Sequence, residues 1–183
     1  MKHLMLFVDG FEDVEAIATI DVLLRGKEEV IKVSLMERNE VVSKSGNKIY
    51  IENLIEDIDL ESFDSLIIPG GPGSFNIMGN LSIVDKIIEF FAKNNKLVSA
   101  ICAAPYLDGR LGYYQDKNYT VYPGFEEQVI GGTYLKDQGV VVSGKFITAK
   151  SMFYSIDFGL AIYNYFHSEE DTNKLRLSLK GEC

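Results

Sequence analysis

The sequence predicts an α/β protein, a three-layer sandwich with a mainly parallel sheet and a small β-hairpin. Three observations carry that expectation. Apolar stretches of strand length alternate with helical stretches of ten or more residues. The strands at 2–8, 64–69 and 96–101 are apolar nearly throughout, as strands buried on both faces are. Such strands need helices on both sides, which crossover helices between parallel strands supply.

The elements follow in order. "KHLMLFV" (2–8) reads as a buried strand. "DVEAIATIDVLLRG" (13–26) reads as a helix, capped by Asp13 and ended by Gly26, with Ala16, Ile20, Leu23 and Leu24 on one face. "VIKVSLME" (30–37) alternates like a strand, and "EVVSKSGNKIYIE" (40–52) reads as a hairpin turning at Ser45, Gly46 and Asn47. The acidic stretch after it suits a solvated linker or a short helical turn. "DSLIIPGG" (64–71) is a second buried strand. "SIVDKIIEFFAKNN" (82–95) is a helix, with Ser82 and Asp85 spaced as a capping box. "KLVSAI" (96–101) is a third buried strand, and a helix starts just after Cys102. Between 119 and 148 the clearest strands are "GVVVSG" and "KFITA". "SMFYSIDFGLAIYNYF" (151–166) is an amphipathic helix whose aromatic residues keep helical spacing, which suits core or subunit contact. Residues 1–167 are expected to form one domain, and 168–183 a polar tail with at most a final helical turn.

Composition narrows the function. The chain has 183 residues, enough for one domain with a core and short for two. With 46% hydrophobic residues in periodic segments, a disordered chain is not expected. A net charge of −9 and no basic stripe speak against nucleic acid as partner. No apolar run approaches the roughly 18 residues of a membrane span, and the start turns acidic too soon for a secretory signal. A cytoplasmic protein with no membrane partner is expected. The cysteines are Cys102 and Cys183, with no CxxC, and neither His3 nor His167 stands at ligand spacing to them. No metal and no organic cofactor is expected, and Cys183, as the last residue, should be poorly held.

Ligands of parallel α/β sheets sit beyond the carboxyl ends of the strands. Three such ends stand out: Asp9 to Glu12, Pro69 to Gly73, and Cys102. At the strand–Cys–helix turn, free N–H groups and the helix dipole favour a thiolate and a lowered pKa. The other reading of Cys102 is a buried core thiol acting as a small hydrophobe. Glu15, in the first helical turn, either answers the helix dipole or faces Cys102 as a carboxyl that holds and passes a proton. Gly70 and Gly71 either turn the chain or present backbone N–H groups to an oxyanion. A Walker phosphate loop is excluded, because no GK[ST] follows.

Together, "GFEDVEAI" (10–17), "LIIPGGPGS" (66–74), "AICAAPYL" (100–107) and "TVYPGFEEQ" (120–128) resemble the ThiJ/PfpI superfamily. The branch is that of the human Parkinson-associated deglycase and its bacterial relatives. The order, spacing and total length fit over nearly the whole chain. The resemblance implies a flavodoxin-like fold and a homodimer. It makes Cys102 the nucleophilic, easily oxidised elbow cysteine and Glu15 its hydrogen-bond partner. Gly71 and Ala103 then supply backbone N–H donors to the pocket. The implied activities are cofactor-independent glyoxalase chemistry or deglycation, acting on a small aldehyde or a glycated substrate.

Three positions depart from the pattern. Ala103 stands where peptidase-like and chaperone-like members carry His, which argues against a Cys-His protease. Tyr122 stands where the pocket of the human protein has His; a phenol is a poor base at neutral pH but can donate a hydrogen bond. Base work would then fall to Glu15 or water. "TAKSMFYS" (148–155) replaces a glycine-rich turn at the pocket rim. Two alternatives stay open beside a glyoxalase or deglycase. One is a redox-responsive protein whose Cys102 becomes a sulfinic acid held by protonated Glu15, with stress or chaperone roles. The other is a glutamine amidotransferase-like hydrolase, in which His167-Ser168-Glu169 would complete a Cys-His-Glu triad; a histidine closing a helix before a charged tail explains that stretch as well.

Overall fold

The computed structural model describes residues 1–182; the expectation for Cys183 falls outside them. In chain order the elements are β1 (Lys2–Phe7), α1 (Asp13–Arg25), β2 (Glu29–Ser34), β3 (Glu40–Val42), β4 (Lys48–Tyr50), β5 (Asn53–Leu54) and β6 (Ser65–Ile68). Then come α2 (Pro72–Asn76), α3 (Ser82–Lys93), β7 (Leu97–Ile101), α4 (Pro105–Arg110), β8 (Asn118–Tyr119) and β9 (Thr133–Tyr134). The chain closes with β10 (Val140–Ser143), β11 (Phe146–Ala149), α5 (Ser155–Phe166) and α6 (Glu169–Lys180).

Seven strands form the central sheet in the order β10-β11-β7-β6-β1-β2-β5. Every pairing in it is parallel except β10 with β11. β3 and β4 make the small antiparallel hairpin, pairing Val42 with Lys48 around a loop that holds Gly46 at φ +85°.

Period-two alternation sends one strand's side chains to both faces of the sheet. Leu4, Leu6 and Val8 join one core with Leu66, Ile87 and Phe91; Met5 and Phe7 join the other with Leu23, Phe158 and Ile162. α1 and α5 therefore cover one face and α3 the other. This is the expected three-layer sandwich, and it brings the carboxyl ends of β1, β6 and β7 side by side.

Four local expectations change. Glu12, not Asp13, caps α1: it stands extended (φ −86°, ψ 124°) and its carboxylate accepts the Glu15 N–H at 2.8 Å. Leu81 takes the N-cap position of α3 and packs on the core, so Ser82 falls inside the helix and no side chain caps it. Asp85 pairs with Arg110 instead. Leu24 points outward, 52% exposed. The segment after Ser168 forms a 12-residue helix, α6, rather than a single turn. Ser168 caps it, Gly181 closes it at φ +73°, and Thr172 and Leu175 are buried. Among the described residues, no helix is long and apolar enough to cross a membrane.

α4 itself carries a buried acid, Asp108. Tyr114 donates its hydroxyl to Asp108 Oδ2 at 2.9 Å, while Asp108 Oδ1 is buried without a partner among the described residues. Burial pushes the Asp108 carboxyl from 3.8 up to about 7, against the pull of the Tyr114 hydrogen bond. The folded chain thus keeps a proton that the unfolded chain releases near pH 4. Stability must fall as pH rises from about 4 through 7. Asp108→Asn keeps the shape without the charge. Relative to wild type it is expected to gain up to a few kcal/mol at pH 8 and little at pH 5, because each pH unit is worth ~1.36 kcal/mol. Urea unfolding at the two pH values checks this, and an equal difference at both would refute it.

Candidate functional site

Three strand ends build one cavity of about 530 Å³. β7 ends at Ile101, and Cys102 follows in the left-handed region at φ +64°, a conformation a non-glycine residue adopts at a cost. Its backbone is held on both sides. Its N–H donates to Ala149 O at 2.8 Å, and its carbonyl accepts the Tyr122 N–H at 2.8 Å. The turn lifts the thiol off the end of the sheet into the cavity, which Glu15, Gly71, Ala103 and Tyr122 also line.

β6 ends at Ile68, and the glycines after it permit contacts no other residue allows. A Cβ on Gly70 would lie 2.6 Å from both Cys102 Cβ and Glu15 Oε2. Gly71 sits at φ +91°, and a Cβ there would lie 2.5 Å from Gly10 O. The Gly70 carbonyl accepts the Glu12 N–H at 3.1 Å, and the Gly73 N–H donates to Gly10 O at 3.0 Å. These bonds lock the β1 and β6 ends together and start α1 beside the sulfur.

Glu15 is 1% exposed. Its Oε2 accepts the Gly70 N–H at 2.9 Å; Oε1 finds no hydrogen-bond partner among the described residues. The side chain beside this carboxyl is that of Cys102, since one carbon on Gly70 would touch both. Burial pushes Glu15 from 4.5 up to about 7; the Cys102 thiol pulls it down, Glu12 pushes it up, and the Gly70 N–H and Lys44 pull it down.

The expected lowering of the thiol pKa is overturned. Burial pushes Cys102 up, and the Glu15 carboxylate beside it adds to the push. The Ala103 and Gly71 N–H groups, both aimed at the sulfur, act the other way and are outweighed. The helix after the cysteine is too slight to reverse this: α4 has six residues and begins with Pro105, which has no N–H. Glu15, held at about 7, therefore ionises before the Cys102 thiol does, and its carboxylate stands beside a protonated sulfur.

The structure brings together Cys102, Glu15, Gly71, Ala103 and Tyr122. It does not bring His167 to them. His167 Nε2 bonds Glu28 Oε1, and Glu28 also meets His3 on β1 and the Met1 amine, at the opposite end of the sheet. The alternative Cys-His-Glu triad therefore does not form. Glu12, Lys44, Phe75 and Phe125 also line the cavity, and the sequence reading gives none of them a role there. Lys44, from the hairpin loop, stands 3.9 Å from Glu12 Oε1. Phe75 and Phe125 lie just outside or inside the quoted motifs, but nothing in their spacing pointed inward.

Comparison with known proteins gives the context. An uncharacterized protein of Methanocaldococcus jannaschii is 38% identical over 128 residues, 68% of this chain. This chain spans 62% of that protein's length. A glutathione-independent glyoxalase of Caenorhabditis elegans is 29% identical over 98% of this chain and 94% of its own. Among solved structures, oxidized DJ-1 of Toxoplasma gondii superposes with a TM-score of 0.89 at 26% identity, over 97% of each chain. A flavodoxin-like sandwich is thus common to this chain and to DJ-1 proteins. The DJ-1/PfpI family model matches residues 1–165, and with the elbow cysteine and the glycine turns beside it, the chain belongs to that family.

Proposed function

We propose that the protein converts α-oxoaldehydes, free or as protein adducts, to 2-hydroxy acids without a thiol cofactor. The observation that carries the reading is the buried Glu15 carboxyl standing beside Cys102 on one open cavity. A thiol with an ionisable carboxyl next to it is what a nucleophile and its base require. The likeness to a glutathione-independent glyoxalase supports the choice of substrate.

In this reading the sulfur attacks the aldehyde carbon, and the thiol proton passes to the Glu15 carboxylate. Glu15 returns that proton to the new alkoxide, which gives a hemithioacetal. As a carboxylate again, it removes the hydrogen from the same carbon. The enediolate picks up a proton at the neighbouring carbon, which becomes the carbinol, and the sulfur-bearing carbon becomes a thioester. Water then cleaves the thioester, releasing the 2-hydroxy acid and restoring the thiol. The net change is addition of one water to the oxoaldehyde, with no outside oxidant or reductant. The Gly71 and Ala103 N–H groups are the donors nearest to oxygen charge developing beside the sulfur. Tyr122 offers a hydroxyl donor at the rim and no base.

Methylglyoxal without glutathione should yield lactate, and Cys102→Ser should yield none above the uncatalysed background. Equal lactate from both proteins would sink the reading.

A further inference from the structure

The cavity above Cys102 is broader and more aromatic than methylglyoxal requires. Its volume is about 530 Å³, within the ~300–1,000 Å³ range of cavities that enclose drug-sized ligands. Methylglyoxal has only a methyl group to bury. Charged side chains in the lining are Glu12, Glu15 and Lys44, and two of them are engaged with each other. Much of the remaining wall is carbon: Phe75, Phe125, Tyr122, Met152 and Pro72.

The rings are placed rather than loose. Phe125 packs between Phe75, at 5.2 Å between centroids, and Tyr106, at 5.6 Å, each tilted by 45°. Tyr106 is nearly buried, which anchors that row in the core. The backbone that carries Tyr122 is fixed by its N–H on Cys102 O. Yet Phe75 is 38% and Tyr122 48% exposed, so apolar ring surface faces the cavity in water. A flat apolar group entering there would be met by ring faces and edges at favourable geometry.

We propose that this wall is a subsite for the substituent of the oxoaldehyde, and that it selects aryl or similarly large, flat apolar groups over methyl, with Phe125 as the specificity-determining residue. The proposal rests on the Cys102 chemistry above for its substrate class, but the subsite can be tested without turnover.

Benzoylformate and pyruvate are α-oxo acids that differ only in phenyl against methyl and that lack the reacting aldehyde. Calorimetric titration of the intact wild-type protein should find benzoylformate bound at least tenfold more tightly. In Phe125→Ala that ratio should fall below three. Phe75→Ala, at a more exposed position, should lower it in the same direction and guards against a folding defect in the first variant. Equal affinities in wild type, or a ratio unmoved by both variants, would overturn the subsite. In parallel, kcat/KM for phenylglyoxal over methylglyoxal should exceed ten and collapse in Phe125→Ala. If Cys102→Ser still turns over both aldehydes, the nucleophile reading fails while the binding ratio continues to judge the subsite.

Discussion

Glu15→Gln is expected to cut oxoaldehyde turnover by about 10²–10⁴-fold while making the folded protein more stable at alkaline pH. The two effects have one origin. Only a carboxylate can accept the thiol proton, and burial holds Glu15 up at about 7. Wild-type activity should therefore rise with pH through about 7 as the carboxylate forms, and the variant should lose that limb. For stability the sign is opposite. A raised carboxyl pKa means the folded state binds a proton that the unfolded state gives up near 4.5, so stability falls between about pH 4.5 and 7. Glutamine removes that loss and keeps an amide oxygen for the Gly70 N–H. A rate profile and urea unfolding at pH 5 and 8 read both. A variant as active as wild type, or one that is inactive but equally destabilised at both pH values, would contradict the role assigned to Glu15.

Gly70→Ala should be strongly damaging. Gly70 needs no special backbone angle; it needs space. The added carbon would lie 2.6 Å from Cys102 Cβ, 2.6 Å from Glu15 Oε2 and 2.8 Å from Ile101 O. The first belongs to a residue tethered through both its peptides, and the last to the backbone of a central strand, so neither can yield cheaply. Overpacking of this kind costs about 1–3 kcal/mol or more, which in a chain of this size lowers the melting temperature by roughly 2–12 °C. The clash would also part Glu15 from Cys102, so activity should be lost even well below the melting point. Gly46→Ala is the comparison: its φ is +85° but nothing lies within 4 Å, so only backbone strain remains. A Gly70→Ala protein that melts within a degree of wild type would show that the three strand ends are less tightly joined than described.

Much of this architecture could be read from the chain because burial on both faces leaves a plain mark. Leu4, Leu6 and Val8 beside Met5 and Phe7 admit few arrangements other than a strand between two helical layers. The cysteine was legible by position: a thiol at a strand end with alanines after it stands where parallel sheets put their ligands. Its acidity was not, because that depends on burial and on Glu15, which stands 87 positions earlier in the chain. The cap of α1 was misplaced by one residue because Glu12 and Asp13 can both cap, and only the bond of Glu12 to Gly70 decides between them. α6 was missed although Ser168, Asp171 and Gly181 mark its ends, since its buried residues, Thr172 and Leu175, are too sparse to give a face. The aromatic wall was invisible for a different reason. Phe75 stands in α2, Tyr122 and Phe125 in one turn after β8, and Met152 in the turn before α5, so no local period links the three segments.

The unusual backbone of Cys102, pinned by Ala149 on one side and Tyr122 on the other, has an outcome for how such a protein can diversify. The reacting atom rides at the end of a central strand, whereas most of the walls around it come from connecting segments that tolerate exchange. New chemical tastes can then arise by swapping one or two bulky groups overhead, leaving the chemistry below undisturbed. A library restricted to positions 75, 122, 125 and 152 should accordingly alter which aldehydes are accepted far more readily than it alters the pH at which they react.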